Sequence, residues 1–186
     1  MTAKARNASK PKATRRIAPA RAQSRQGTAP PRSRRAPEDA IRLLKADHAK
    51  VDAMFEKYES ARAPQKESLV REICLELKVH TQIEEELLYP ALREAAKQGD
   101  DADDLLDEAQ VEHNSAKTLI AELEDGSPGD ELFDAKVKVL GEYIRHHVKE
   151  EHSDIFPLVR QRLDVNELGE KLAARKAELL EAAQAP

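Results

Sequence analysis

A twelve-residue element that combines histidine with glutamate occurs twice in the chain, 67 residues apart. Its copies are VHTQIEEELLYP at residues 79–90 and HHVKEEHSDIFP at residues 146–157. Ungapped alignment places His80 over His147 and Glu84 over Glu151. A histidine and a glutamate four residues apart lie one turn apart on the same face of a helix, so both side chains can reach one small object. The simplest such object is a metal ion.

Four of the six histidines lie in segments whose apolar residues recur every three or four positions, which predicts one inward histidine per amphipathic helix. These histidines are His48, His80, His113 and His147. The predicted helices cover about residues 37–60, 64–97, 101–124 and 130–162, followed by a short accessory helix over about 164–183. Pro90 and Pro157 are expected to kink or end the helices that contain them.

Four amphipathic helices with short loops predict an all-α, up-down-up-down four-helix bundle whose apolar stripes face the axis. The histidines are 32, 33 and 34 residues apart, so the four imidazoles are expected near one level. The second and fourth helices run in the same direction in such a bundle. Glu84 and Glu151 should therefore share a layer roughly 6 Å along the axis from the histidines.

Two carboxylates between four imidazoles can hold two metal ions, each with about two histidines and a share in both carboxylates. This arrangement leaves positions for a bridging oxygen and an exogenous ligand. Mixed imidazole and carboxylate ligation with open positions favours non-haem iron over manganese or zinc. The alternative is a bundle without metal in which hydrogen bonds satisfy the inward histidines.

Composition and length limit the class of protein. The 186 residues predict one domain, and 40% hydrophobic with 3% aromatic residues favours a helical protein with an aliphatic core. Cys74 is the only cysteine, which excludes an intramolecular disulfide and suits a cytoplasmic protein. No apolar run approaches the roughly 20 residues of a membrane span, so we expect a soluble chain that does not enter a membrane.

The first 37 residues differ sharply from the rest. They carry eleven of the 31 basic residues, none of the 35 acidic residues and five of the ten prolines. Such a segment cannot bury enough apolar surface to order itself, so residues 1–37 are predicted to be a disordered tail. Its charge suits nonspecific electrostatic binding to nucleic acid or another polyanion, and a solubilising or targeting extension is the alternative.

The duplicated HxxxE element followed by Tyr-Pro or Phe-Pro, together with the inward histidines, resembles the hemerythrin-like, HHE cation-binding family. Its domains are four-helix bundles around a non-haem di-iron site. The resemblance covers about residues 38–162, between the tail and a C-terminal segment at 163–186. It implies two iron ions, with Glu84 and Glu151 as bridging ligands. The implied ligands are His48, His80, Glu84, His113, His147 and Glu151.

The chain departs from the oxygen-carrying members of this family at two positions. Those members have a further histidine where this chain has Lys117, and an aspartate where it has His152. A lysine cation cannot replace the imidazole, which argues against reversible oxygen carriage. His152 is a candidate for an added ligand or a proton shuttle, and His146 is expected at the surface.

Two classes of function remain open from the sequence. The first is a di-iron protein that binds or reacts with oxygen, peroxide or nitric oxide, in sensing, scavenging or iron handling. Peroxide-decomposing or oxidase-type catalysis would belong to this class. The second is a nucleic-acid or polyanion binding module that uses residues 1–37, with the bundle as its structural body.

Overall fold

The computed structural model describes residues 39–96 and 101–184, and every regular element in these two ranges is a helix. The predicted disordered tail, residues 1–37, lies outside the described residues. The elements are α1 (Ala40–Ser60), α2 (Ala63–Ile83), π1 (Glu84–Leu88), α3 (Tyr89–Glu94), α4 (Ala102–Glu124), α5 (Phe133–Glu150), π2 (Glu151–Ile155), α6 (Phe156–Arg162) and α7 (Val165–Gln184). Here π1 and π2 are single π-helical turns.

The helices form the predicted up-down-up-down four-helix bundle. Its four members are α1, the continuous run α2–π1–α3, α4, and the continuous run α5–π2–α6. α1 packs against α2 and α4 packs against α5, while contacts of α2 with α4 and of α1 with α5 close the ring. Each bundle member thus presents one face to a common axis, as the amphipathic patterns predict.

Helix starts follow from local chemistry. The carboxylate of Asp39 caps α1 by accepting hydrogen bonds from the backbone N–H groups of Ile41 and Arg42 at 2.9 and 3.2 Å. Asp164 caps α7 in the same way. α5 begins at Phe133, three residues later than predicted, because the preceding Leu132 has a left-handed backbone with φ of 67° that a helix cannot include.

The two prolines of the duplicated element do not end their helices. A π-helical turn precedes each one, beginning at Glu84 before Pro90 and at Glu151 before Pro157. The peptide N–H just before each proline donates to the carbonyl of that glutamate, five residues back. This wider turn accommodates a residue that lacks an N–H and would crowd the carbonyl four positions earlier. The duplication in the sequence is therefore also a duplication in the backbone.

The C-terminal helix α7 covers nearly the predicted range and lies against α1, α2 and π1. Leu168 and Leu172 are buried in this contact. Lys176 of α7 donates to the Asp47 carboxylate of α1. The accessory helix thus reaches a residue that directly precedes one of the predicted ligands.

A polar layer divides the described core into two apolar clusters. On one side lie residues such as Leu44, Ile83, Leu88, Leu106 and Val159. On the other lie residues such as Val51, Phe55, Ile73, Ile120 and Leu140. Burying polar groups between two apolar layers costs free energy unless the groups have hydrogen-bond partners or bind an ion, so a ligand is expected in this layer.

Candidate metal centre

The structure brings together all six side chains that the sequence predicts as ligands. Each has 7% or less of its surface exposed, and both glutamates are fully buried. The imidazoles form two pairs, each within one helical hairpin. His48 and His80 face each other through their Nε2 atoms at 2.8 Å, and His113 and His147 do so at 3.1 Å.

The two carboxylates connect these imidazole pairs. Glu84 has one oxygen 3.3 Å from His80 Nε2 and the other 3.5 Å from His113 Nε2, so it reaches both hairpins. Glu151 lies between the other two histidines, with a single oxygen, Oε2, 3.2 Å from His48 Nε2 and 3.7 Å from His147 Nε2. The oxygens lie closer to the imidazoles than the predicted 6 Å layer spacing, because helical side chains lean back toward the N-terminus.

The ligand atoms divide into two overlapping groups. In each group the nitrogens and oxygens lie within 4.8 Å of one another, which is close enough to surround one cation. The groups are His48, His80, Glu84 and Glu151, and Glu84, His113 and His147. Glu84 is common to both, so two cations held here would be neighbours that share a carboxylate.

Several buried polar atoms of this layer lack hydrogen bonds from the described residues. They are both carboxylate oxygens of Glu84, Oε2 of Glu151 and Nδ1 of His80. A buried polar atom without a partner costs about 1–3 kcal/mol. Cations would satisfy the carboxylate oxygens and the facing Nε2 lone pairs together, so the residues present fit a pair of metal ions.

The electrostatics of the layer point the same way. Burial and the nearby charge of Glu151 hold the pKa of Glu84 well above its usual range, so without a cation this carboxyl keeps its proton to a higher pH than an exposed glutamate does. Burial lowers the pKa of His80 to about 4, which keeps the imidazole neutral at pH 7. A neutral imidazole offers a lone pair to a metal, and cation binding would release the Glu84 proton.

Each inward imidazole turns its Nδ1 atom outward, toward a second polar side chain. His113 lies 3.0 Å from Glu85 and His147 lies 2.8 Å from Glu112. A carboxylate that accepts from Nδ1–H selects the tautomer with its Nε2 lone pair facing the axis. The other two contacts are His80 to Asp47, at 3.6 Å, and His48 to His152, at 3.1 Å.

The outer partners follow a rule, and two of them, Asp47 and Glu112, had not been singled out from the sequence. The acid immediately before an inward histidine of α1 or α4 reaches the histidine of the next helix: Asp47 faces His80, and Glu112 faces His147. The residue immediately after each bridging glutamate reaches a histidine of the other hairpin. Glu85 and His152 hold these equivalent positions. An acid directly preceding each of two equivalent histidines was the available signal.

Lys117 lies outside the cation-binding layer, as the sequence predicts. Its Nζ donates to both oxygens of Glu85 at 2.6 Å. The pKa of Glu85 falls to about 2, first because of its hydrogen bond with His113 and then because of Lys117 and Gln110. The lysine therefore keeps the outer partner of His113 ionised and oriented.

Two further side chains approach the centre. The Tyr89 hydroxyl lies 3.3 Å from both His113 Nε2 and Glu151 Oε1, so it can donate to the carboxylate. His152 lies beside His48 and forms no part of the two groups described above. His152 is therefore an outer partner of His48, and this position does not support the prediction that His152 is an added ligand.

Fold and site together define a class: helical-bundle proteins whose core layer of histidine and glutamate binds cations. The comparison with known families then specifies the family. The hemerythrin HHE cation binding domain matches residues 39–159, and this chain belongs to that family. Among the described residues, no helix is both long and apolar enough to cross a bilayer.

Two individual proteins illustrate the range of the relatives. One is known from a crystal structure: a hemerythrin HHE cation binding domain-containing protein, the Rv2633c homologue from Mycobacterium kansasii. It superposes on this chain with a TM-score of 0.66 at 25% sequence identity. The superposition covers 78% of this chain and 89% of the other. A DNA nickase from Nostoc sp. (strain PCC 7120 / SAG 25.82 / UTEX 2576) is 32% identical over 127 residues, or 68% of this chain. This chain spans about a third (34%) of the nickase.

Proposed function

We propose that this chain is a non-haem di-iron protein that reacts with a small oxidant such as oxygen, peroxide or nitric oxide. The proposed iron ligands are His48, His80, Glu84, His113, His147 and Glu151. One observation carries this proposal above the others. Two imidazole pairs are joined by two fully buried carboxylates, and three of their four oxygens lack hydrogen-bond partners among the described residues.

Iron is favoured by the type of donor atoms. The inward atoms are imidazole nitrogens and carboxylate oxygens, with no thiolate, because Cys74 lies apart in an apolar cluster. Such a mixed set with few carboxylates per cation suits iron, and zinc and manganese are the competing metals. Two iron ions in this layer would supply electrons to an oxidant at neighbouring positions.

The residues around the layer prepare it for this role. Glu85 and Glu112 hold their histidines in the tautomer that presents Nε2 inward. The Tyr89 hydroxyl donates a hydrogen bond to Glu151 at 3.3 Å. The two apolar clusters above and below exclude water, which strengthens every electrostatic interaction between them.

A cavity of about 250 Å³ between α1 and α5 supports access by a small molecule. His48 and His152 line it together with Phe55, Ile144 and Val148. Lys45 adds a positive charge, while Arg145 pairs with Asp52 at 2.8 Å in the same lining. A small neutral or anionic oxidant suits this lining. His48 connects the cavity to the buried layer, since its opposite nitrogen faces His80.

Metal analysis of the purified full-length chain tests the proposal. We expect two iron ions per chain after expression with added iron, and an ultraviolet–visible spectrum that changes on addition of hydrogen peroxide. Glu84→Ala should lose most of the iron, whereas Glu86→Ala, two residues away on the exposed face, should keep it. Wild-type protein without iron, or equal iron in both variants, would refute the assignment.

The second candidate function is nucleic-acid binding, and the similarity to a DNA nickase favours it. The basic residues 1–37 would supply the contacts with phosphate. We expect DNA binding that weakens steeply with salt and is lost in a chain that begins at residue 38. A supercoiled-plasmid assay with and without added iron would separate binding from strand cleavage. Equal binding by the shortened chain would refute a role for the tail.

A further inference from the structure

A second group of metal-ligating side chains lies on the surface beside the buried centre. It comprises Glu112 of α4 with His146 and Glu150 of α5, whose ligand atoms lie within 4.8 Å of one another. His146 Nε2 is 3.2 Å from Glu150 and 3.6 Å from Glu112. The His146 side chain is 61% exposed, so this outer group faces water.

Charge makes the outer group attractive to a cation. Among the described residues, Glu112 and Glu150 form their ion pairs with histidines only, and no lysine or arginine neutralises them. His146 and Glu150 stand four residues apart on one helix, so their relative position is set by the helix before any ligand arrives. One imidazole and two carboxylates suit a divalent first-row transition metal, with water completing its coordination.

The outer group is connected to the buried centre. Glu112 uses one oxygen near His146, and its other oxygen accepts from His147 Nδ1 at 2.8 Å. A crevice of about 10 Å³, room for one water-sized group, is lined by Glu112, Glu150, His147 and Glu151. Exposure falls along this set, from 36% at Glu150 to zero at Glu151. Glu151 supplies a fully buried oxygen without a hydrogen-bond partner among the described residues.

We propose that Glu112, His146 and Glu150 form a third, solvent-facing cation site, from which a divalent metal passes through this crevice to the buried carboxylates. The site itself is independent of the proposed di-iron function. The passage rests on that function, because it assigns the buried layer as the destination. Glu112 belongs to the outer site and also accepts from His147 Nδ1. A cation held outside would therefore bind the same carboxylate that contacts a histidine of the buried centre.

Zinc titration of the metal-loaded full-length chain tests the outer site. We compare the wild type with His146→Asn and Glu150→Gln by isothermal titration calorimetry, and elemental analysis checks that iron stays bound. The matched control is Glu142→Gln, two turns earlier on α5, where the carboxylate is 59% exposed and pairs with Lys138. We expect one zinc ion per wild-type or control chain and none in either outer-site variant.

Uptake of radioactive Fe²⁺ by the same four proteins tests the passage. We expect the two outer-site variants to incorporate iron at least several-fold more slowly than the wild type and the control, with the same final amount. Equal zinc binding in all four proteins, or none in the wild type, would overturn the outer site. Loss of zinc with an unchanged rate of iron uptake would overturn the passage. A wild type that binds one zinc but no iron would instead refute the di-iron proposal.

Discussion

Replacement of the shared carboxylate should have opposite effects on the metal-free and the metal-loaded chain. Glu84 is fully buried, and neither of its oxygens accepts a hydrogen bond from the described residues. Methionine has a similar volume and carries no such oxygens, so Glu84→Met removes their desolvation cost without opening a large cavity. Two atoms at about 1–3 kcal/mol each, reduced by partial relaxation, suggest a gain of about 2 kcal/mol for the metal-free chain.

The metal-loaded chain should respond in the other direction. A ligand present at 100 times its dissociation constant stabilises the folded state by about 2.7 kcal/mol, and Glu84→Met should forfeit stabilisation of that size. For a domain of this size, about 1 kcal/mol corresponds to roughly 2–4 °C in Tm. With chelator present we therefore expect Tm to rise by about 4–8 °C. With iron present the loss of about 2.7 kcal/mol is partly offset by the gain of about 2 kcal/mol, so Tm should fall by about 1–3 °C.

The pH dependence provides a second check on Glu84 in the metal-free chain. Its pKa is raised in the folded state above the ordinary value of 4.5, so the folded chain binds the proton more tightly than the unfolded chain. The contribution of Glu84 to the stability of the wild type should therefore be lost as the pH rises above about 4.5, through the folded-state pKa. The advantage of Glu84→Met over the wild type should grow in the same direction.

Circular dichroism melting curves of wild type, Glu84→Met and Glu86→Met measure these effects. Glu86 is the matched control, because it occupies the same π-helical turn but pairs with Arg175 at the surface. Its replacement should leave the melting temperature nearly unchanged in either state, because exposed ion pairs contribute little to stability. If Glu84→Met destabilises the chelator-treated chain as much as the iron-loaded chain, the effect of the Glu84 carboxylate on stability does not depend on a cation. That result would refute the reasoning.

Three further predictions concern other parts of the chain. Glu85→Gln should weaken iron binding about 10- to 100-fold, because it alters the hydrogen-bond partner of His113. Replacement of the exposed Glu86 by Gln should leave iron binding unchanged. Competition with a chelator measures the iron affinity of both variants. Cys74 is buried, and burial is the main reason that its pKa is raised to about 12. Ellman's reagent should therefore react slowly with Cys74 until the chain is unfolded. Rapid reaction in the native state would contradict this burial. Leu132→Asn should raise Tm slightly, because the exposed Leu132 holds a positive φ that asparagine tolerates better; an unchanged or lower Tm would show that no strain is relieved.

The helices and their inward residues were predictable because they depend on near neighbours in the chain. A period of 3.6 residues decides which side chains share a face, and the caps Asp39 and Asp164 act on backbone N–H groups two or three residues away. The duplicated element then placed His80 with Glu84 and His147 with Glu151 on equivalent faces. Convergence of the ligand set followed from the three similar spacings between the four histidines.

The backbone at the prolines shows where this local reasoning was incomplete. Pro90 and Pro157 were expected to kink or end their helices; neither one ends its helix, and each helix continues through a π-helical turn. A proline forbids one hydrogen bond but does not specify how the preceding turn adapts. The wider turn therefore had to be observed in the structure at both prolines.

The pairing of each outer partner with its histidine could be identified only from the three-dimensional structure. Asp47, Glu85 and Glu112 belong to an acidic chain in which a carboxylate near any histidine is common, so spacing could not distinguish them from solvated charges. Their contacts cross between helices, and such contacts depend on the rotation and height of each helix rather than on sequence separation. The sequence by itself determined which side chains face the axis; only the tertiary structure decided which acid supports which imidazole, because that choice is made between helices.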